Sequence, residues 1–154
     1  MPASDRAGRP VSAPELQETR QTTEVSTATE PIPSMPPRRI LIIDDDAEVR
    51  AGIRDLVIQQ GFTADCAKDG TEALACLRGS QRPSLIFLDL TMPGMSGWEF
   101  RRAQLSDPRL ASIPVVVTTG HPEYGEDMVS LRASGHLQKP IRPEEVLGVL
   151  DRFS

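Results

Sequence analysis

Short runs of hydrophobic residues recur along the chain, and polar residues follow each of them. The clearest runs cover residues 40–43, 85–88 and 113–117, with shorter ones at 62–66 and 136–138. Unbroken runs of β-branched residues and leucine are typical of strands that are buried on both faces, as in a parallel sheet covered by helices. The sequence therefore predicts five strands.

Hydrophobic residues at helical spacing follow each predicted strand. They predict helices over about 47–60, 70–79, 97–106, 124–134 and from Pro143 to the end of the chain. Residues that commonly cap helices precede three of these segments, namely Asp46, Asp69 with Glu72, and Ser96 with Glu99. Five strands that alternate with five helices through right-handed crossovers predict an α/β fold with a doubly wound, five-stranded parallel sheet.

The predicted strands end in residues whose side chains carry chemistry. Asp44 and Asp45 follow the first strand, and Asp89, Thr119 and Lys139 stand at the ends of three later ones. Because the carboxyl ends of parallel strands share one edge of the sheet, we expect these groups to converge there. Closely spaced carboxylates repel one another and call for a cation, and Mg²⁺ prefers oxygen ligands of this kind. The pattern predicts a site for a metal ion and a phosphoryl group.

The first 37 residues differ in composition from the rest of the chain. They hold half of the 14 prolines and no aromatic residue. A segment of this kind cannot bury enough apolar surface to offset its ordering entropy, so residues 1–37 are predicted to be a disordered tail. Residues 38–154 are then predicted to form one domain. An alternative interpretation is that the protein starts at Met35, which would make most of this tail a misassigned start.

Charge, cysteine usage and hydropathy narrow the functional classes. The formal net charge is −5, and no basic stripe is visible, which argues against direct binding of nucleic acid. Cys66 and Cys76 have neither CxxC nor metal-ligand spacing, so we interpret them as reduced thiols. No run approaches the roughly 18 apolar residues of a membrane span, and no signal-peptide core is visible. We therefore expect a cytoplasmic protein without a membrane segment.

Taken together, these residues resemble the receiver domain of bacterial response regulators in two-component signalling. The resemblance covers about residues 39–153 and rests on four features: Asp44 with Asp45, Asp89 within the sequence LDLTMP, Thr119 followed by Gly120, and Lys139 followed by Pro140. It implies a flavodoxin-like fold with the strand order 2-1-3-4-5. It also implies a cis peptide bond before Pro140.

The resemblance implies a phosphoryl switch centred on Asp89. A histidine kinase or a phosphotransfer protein would donate the phosphoryl group, and Asp89 would become an aspartyl phosphate. Mg²⁺ would be held by the carboxylates of Asp45 and Asp89 and by the backbone carbonyl of Thr91, with Asp44 acting partly through water. Lys139 would pair first with Asp89 and then with the phosphoryl oxygens.

The same resemblance implies a phosphate cradle and a protein-binding output. The Thr119 hydroxyl and the backbone N–H groups of Thr91 and Gly120 would complete the cradle. The face built by residues 124–153 would contact a downstream protein after a conformational change. His136 stands where the family has an aromatic switch residue, and a switching imidazole and a plain surface imidazole both remain open. The expected function is that of a stand-alone phosphorylatable switch, whose only reactions are its own phosphorylation and dephosphorylation.

Three other functions compete with this interpretation. A receiver-like binding module that takes no phosphate is disfavoured by the complete set of acids, hydroxyl and lysine. A hydrolase of the aspartyl-phosphate type would place its nucleophile in a DxD pattern on the first strand, followed by a threonine. Residues 44–48 lack that threonine. A dinucleotide-binding enzyme is disfavoured because no GxGxxG motif follows the first strand.

Arg101 lies where the third predicted helix would be expected to bury an apolar residue. Its aliphatic stem is expected to cover apolar surface while the guanidinium reaches water. The sequence assigns no function to it.

Overall fold

Five parallel strands form the centre of the protein. The computed structural model describes residues 38–79, 82–121 and 127–153, so the predicted tail lies outside the described residues. The strands are β1 (Arg39–Ile43), β2 (Thr63–Ala67), β3 (Leu85–Asp89), β4 (Val115–Thr119) and β5 (Gly135–Gln138). They pair in the order β2-β1-β3-β4-β5. The predicted doubly wound sheet, with the order 2-1-3-4-5, is confirmed.

Four of the strands are followed by α-helices at the places that the sequence pattern predicts. They are α1 (Ala47–Gln59), α2 (Gly70–Leu77), α3 (Gly97–Ser106) and α4 (Pro143–Arg152). The side chain of Asp46 accepts hydrogen bonds from the backbone N–H groups of Glu48 and Val49, and thereby caps α1. Ser96 and Glu99 form a reciprocal capping box at the start of α3. Among the described residues, we find no helix with the length and hydropathy of a membrane span.

The segment near 124–134, which the sequence predicts to be an α-helix, has a different structure in its described part. In the described part of this segment the chain forms a short 3₁₀ helix, Asp127–Leu131, and residues 122–126 lie outside the described residues. Arg132 follows with a φ of 54°, a left-handed conformation that cannot continue a helix. The described residues therefore contain four α-helices and one 3₁₀ helix instead of five α-helices.

Hydrophobic residues pack on both faces of the sheet. Alternate residues of β1 point to opposite sides, with Leu41 and Ile43 in one cluster and Ile40 and Ile42 in the other. The strands β3 and β4 are buried along their whole lengths. Close packing on both faces holds the central strands in place, and it therefore also holds the residues at their carboxyl ends.

The expectation that Arg101 reaches water is wrong, because this residue is only 3% exposed. Its Nε donates to the carbonyl of Leu131 at 2.8 Å, and its two terminal nitrogens donate to Gln104 Oε1 and to the carbonyl of Arg132. Gln104 is also buried and donates to the carbonyls of Leu110 and Ile113. The carbonyls around the end of the 3₁₀ helix offer acceptors inside the protein, so the guanidinium is satisfied without water. This arrangement fixes the connection between the 3₁₀ helix and β5 onto α3.

Candidate functional site

The register of the sheet brings the polar strand ends to one edge. Ile43 pairs with Leu88, so the residues that follow them, Asp44 and Asp89, are neighbours. Asp89 is paired with Thr118 on β4. The main-chain N–H of Lys139 donates to the carbonyl of Thr119 at 2.8 Å, which joins the ends of β4 and β5. The backbone of the sheet itself therefore sets the spacing of these side chains.

Three carboxylates form the centre of the site. Asp44, Asp45 and Asp89 each offer an oxygen, and these oxygens all lie within 4.8 Å of one another. Asp44 and Asp89 are 1% and 3% exposed, whereas Asp45 is exposed at the rim. Three carboxylates this close together repel strongly where water is excluded, so the cluster favours either a bound proton or a cation.

Lys139 supplies an ammonium group to the cluster. Its Nζ lies 2.9 Å from Oδ2 of Asp44 and 3.5 Å from Oδ1 of Asp89. Burial alone would lower the pKa of Lys139, but the Asp44 and Asp89 carboxylates outweigh it and raise that pKa. The lysine is therefore charged in this site and lies closer to Asp44 than to Asp89. The peptide bond between Lys139 and Pro140 is cis, as the resemblance implies.

Asp89 has a strongly altered pKa. Burial and the nearby charge of Asp44 raise the pKa of Asp89 to about 7, helped by a hydrogen bond between the side chains of Asp89 and Asp45. Lys139 and the backbone N–H of Thr91 oppose this rise. The folded protein thus holds a proton on Asp89 at pH values where a carboxyl in an unfolded chain, with a pKa of about 4, has lost it.

This raised pKa predicts how pH affects the stability of the protein without added metal. Below about pH 4 Asp89 is protonated in both the folded and the unfolded state, so it does not lower the unfolding free energy. Between about pH 4 and pH 7 the unfolded state has released the proton and the folded state retains it, so stability falls as pH rises. The variant Asp89→Asn lacks this titration and keeps a similar shape. One pKa unit corresponds to about 1.4 kcal/mol, so we expect the variant's advantage in unfolding free energy over the wild type to be about 3 kcal/mol larger at pH 8 than at pH 4.5.

Urea denaturation at pH 4.5 and pH 8, followed by circular dichroism with EDTA present, measures this difference. The gap between the variant and the wild type should be small at pH 4.5 and full at pH 8. A gap that is the same at both pH values would contradict the raised pKa.

Thr91, Thr119 and Gly120 lie around the acids in three different arrangements. The backbone N–H of Thr91 donates to Oδ1 of Asp89 at 3.3 Å. The Thr119 hydroxyl is buried and accepts a hydrogen bond from the backbone N–H of His121 at 3.0 Å. Among the described residues, the Thr119 hydroxyl is therefore bonded to the loop that follows β4 and not to a carboxylate of the cluster. Gly120 is exposed, and a Cβ at this position would meet no described atom within 4 Å.

Arg50 is a site residue that sequence reasoning did not identify. It lies in the first turns of α1, and one terminal nitrogen of its guanidinium donates to the main-chain carbonyl of Asp44 at 2.6 Å. Its spacing from Asp44 gives a weak signal, because an arginine six residues after an acid has many possible partners. Only the turn between β1 and α1 brings the two groups together.

The residues present fit a hard divalent cation. Oδ2 of Asp44 is buried, and its partner among the described residues is the ammonium group of Lys139, 2.9 Å away. One ammonium group does not neutralise three carboxylates, and all the available ligands are oxygen atoms. Mg²⁺ is the biological cation that such a set of ligands suits.

One known protein family matches most of the described residues. The family described as "Response regulator receiver domain" matches residues 40–151, which include all three carboxylates and Lys139. The chain belongs to the receiver domain family. Receiver domains are signalling switches rather than classical enzymes, and they interact with histidine kinases or phosphotransfer proteins. They also bind Mg²⁺ at an acidic pocket.

Proteins from several bacteria are similar to this chain. Rrf1 of Nitratidesulfovibrio vulgaris is 33% identical over 116 residues, which are 75% of this chain and 82% of Rrf1. The DNA-binding response regulator MtrA of Mycobacterium tuberculosis is 32% identical over 112 residues, 71% of this chain and 47% of MtrA. The chain therefore spans about half of MtrA, and the similarity does not extend to the whole of that protein.

Two solved receiver structures show the same architecture. The chemotaxis protein CheY4 of Vibrio cholerae superposes with a TM-score of 0.70 at 30% identity, covering 77% of this chain and 99% of CheY4. The response regulator TrrA of Thermotoga maritima, solved in complex with Mg²⁺ and BeF, superposes with a TM-score of 0.66 at 25% identity. That alignment covers 76% of this chain and 99% of TrrA.

Proposed function

We propose that this receiver accepts a phosphoryl group on Asp89, in a reaction that depends on Mg²⁺, and signals through contacts with other proteins. The observation that carries the proposal is the cluster of Asp44, Asp45 and Asp89 beside Lys139, at the carboxyl edge of the sheet. A buried carboxylate with a raised pKa has no evident structural benefit. Carboxylates with strongly raised pKa values are found mainly at sites where the group takes part in a reaction.

In the proposed reaction, Asp89 is the nucleophile. A carboxylate oxygen of Asp89 forms a bond to the phosphorus atom of a phosphohistidine, the phosphorus–nitrogen bond breaks, and the histidine of the donor leaves with the bonding electrons. The product is an acyl phosphate on Asp89. When bound, Mg²⁺ would keep the carboxylates ionised and balance the negative charge on the phosphoryl oxygens. Its proposed ligands are the side chains of Asp44, Asp45 and Asp89, with Asp44 acting partly through water, and the backbone carbonyl of Thr91.

The remaining groups of the site position the phosphoryl oxygens. Lys139 is charged and already lies 3.5 Å from Asp89 Oδ1, so it can pair with an oxygen of the acyl phosphate. Thr91 already directs its backbone N–H toward Asp89. Thr119 would turn its hydroxyl from the His121 N–H toward the phosphate, and the N–H of Gly120 would complete the cradle. These roles use groups that the sheet holds at fixed spacing.

The proposed output is a change in the surface formed by residues 124–153. Val129 on the 3₁₀ helix is 79% exposed and adds apolar area to this surface. His136 is also exposed, which is compatible with either of its two interpretations. The proposal places the protein in the cytoplasm, where the free thiols of Cys66 and Cys76 stay reduced.

The test is phosphorylation by acetyl phosphate, followed by intact mass spectrometry. With Mg²⁺ present, we expect one phosphoryl adduct of about 80 Da on the wild type, because Asp89 is the single nucleophile in the proposed reaction. We expect no adduct with EDTA or in the variant Asp89→Ala. The matched control is Asp65→Ala, which removes an aspartate from β2, where its partner is Arg39. This control should be phosphorylated like the wild type.

Absence of the adduct in a folded wild-type protein, repeated with a phosphohistidine donor, would contradict the proposal. That result would favour a receiver-like binding module that takes no phosphate. An adduct that persists in Asp89→Ala would instead show that another residue accepts the phosphoryl group.

A further inference from the structure

The backbone around the acid pair is held by three hydrogen bonds. The main-chain N–H of Asp44 donates to the carbonyl of Ala67 at 3.1 Å, which extends the pairing of β1 with β2. The carbonyl of Asp44 accepts from Arg50 at 2.6 Å. Oδ1 of Asp44 accepts from the main-chain N–H of Asp46 at 2.9 Å. The first and third bonds hold Asp44 itself, and the bond from Arg50 holds the peptide group that leads into Asp45.

Arg50 is well placed to orient this peptide group. Its own main-chain N–H donates to the carbonyl of Asp46, so its position on α1 is fixed relative to the acid pair. The residue is half-buried, and a charged guanidinium forms a stronger hydrogen bond to a carbonyl than a neutral donor does. Asp45 is exposed, and its carboxylate reaches back to a hydrogen bond with the Asp89 side chain, so the peptide group before it helps to set where that carboxylate can reach.

We propose that Arg50 is a positioning residue that fixes the Asp44–Asp45 peptide and thereby strengthens Mg²⁺ binding at the site. The inference rests on the proposed function, because it assumes that the carboxylates hold Mg²⁺. Residues that hold metal ligands in place commonly change metal affinity by tenfold or more when they are replaced.

The sign of the effect separates positioning from simple electrostatics. Arg50 is a cation beside a site for a cation, so its charge alone repels Mg²⁺. If charge were its only contribution, replacing it with methionine would strengthen Mg²⁺ binding. Positioning predicts the opposite, since the peptide group is held less firmly without the bond from Arg50 and directs Asp45 toward the site less well.

The experiment is a Mg²⁺ titration followed by the fluorescence of Trp98, the only tryptophan of the chain. Trp98 follows Gly97, which packs against the backbone of Asp89 and Leu90. The variants are Arg50→Met, Arg50→Lys and Arg54→Met. Arg54 lies one turn further along α1, with a side chain that is 52% exposed and paired with Asp55. Its replacement removes the same charge from the same helix and leaves the Asp44 carbonyl bonded. Calorimetry of Mg²⁺ binding gives the same constants independently of the fluorophore.

We expect Arg50→Met to bind Mg²⁺ about tenfold more weakly than the wild type. Arg50→Lys can still donate to the carbonyl and should recover most of the affinity. Arg54→Met should bind at least as tightly as the wild type. Equal or tighter binding by Arg50→Met would overturn the proposal, and so would an equal loss in Arg54→Met. If circular dichroism shows that Arg50→Met is unfolded, Arg50→Leu, which also lacks a donor, takes its place in the series.

A second measurement tests the inference without any metal. Amide exchange and ¹⁵N relaxation of the metal-free protein report on the backbone of Asp45 and Asp46. We expect both residues to become more mobile in Arg50→Met and to be unchanged in Arg54→Met. A wild type that binds no Mg²⁺ would refute the proposed function, and the backbone measurement would still decide the role of Arg50. Unchanged mobility in Arg50→Met would overturn that role.

Discussion

Replacing Gly97 with alanine is expected to destabilise the protein by about 3 kcal/mol and to reduce phosphorylation by more than tenfold. A Cβ at this position would lie 2.7 Å from the Cα of Leu90 and closer still to the carbonyl oxygen of Asp89. Both are backbone atoms, so no flexible side chain can move aside. The start of α3 would have to separate from the end of β3, and Asp89 would move with it.

The control for this prediction is Gly148→Ala. Gly148 lies in α4, and an added Cβ would meet no atom of the described chain within 4 Å. Alanine is favoured over glycine inside a helix by about 0.5–1 kcal/mol, so this variant should be slightly more stable than the wild type. Urea denaturation gives the stability, and acetyl phosphate labelling at matched folded fractions gives the rate. A stable Gly97→Ala variant with a normal rate would contradict the close approach of α3 to β3.

The variant Arg101→Met is expected to lose about 2–3 kcal/mol of unfolding free energy. Methionine fills much of the space of the arginine stem, so packing is largely kept. The carbonyls of Leu131 and Arg132 lose their donors inside the protein, as does Oε1 of Gln104. Burial disfavours the charged guanidinium and lowers the pKa of Arg101. Replacing it with a neutral side chain therefore removes a desolvation penalty and offsets part of the loss. The unpaired carbonyls outweigh that gain.

Arg102→Met is the matched control, because Arg102 is the next residue on α3 and is exposed. It should change stability by less than about 0.5 kcal/mol. The double variant Arg101→Met with Gln104→Leu should lose less than the sum of the two single losses, since the two side chains share a hydrogen bond. Strict additivity in urea denaturation would argue against a shared network.

The strands and most helices could be predicted because local sequence determines them. The runs at β1, β3 and β4 are unbroken since both faces of the sheet are covered, and this pattern is easy to distinguish from amphipathic helices. Cap residues such as Asp46 and Ser96 act on the nearest backbone, so their positions predict where helices begin. The gathering of three aspartates and a lysine followed from parallel strands alone.

The features that were not predicted depend on contacts between distant residues. Arg101 is buried because carbonyls 30 residues away accept its hydrogen bonds, and no local pattern contains that information. The short 3₁₀ helix ends at Leu131, and the left-handed backbone of the next residue, Arg132, could not be predicted from an arginine in the sequence. The contact of Arg50 with Asp44 and the closer pairing of Lys139 with Asp44 than with Asp89 both depend on side-chain geometry in the finished fold.

The hydrogen bond from the Lys139 N–H to the Thr119 carbonyl has a consequence for how such a protein can diversify. Because of this bond, the sheet sets the distance between Thr119 and Lys139, and the segment that connects them does not. That segment can therefore change in sequence or in length during evolution while both groups keep their places. The reactive residues at the strand ends can therefore stay the same while the connecting segment, and with it the partner that the protein binds, changes.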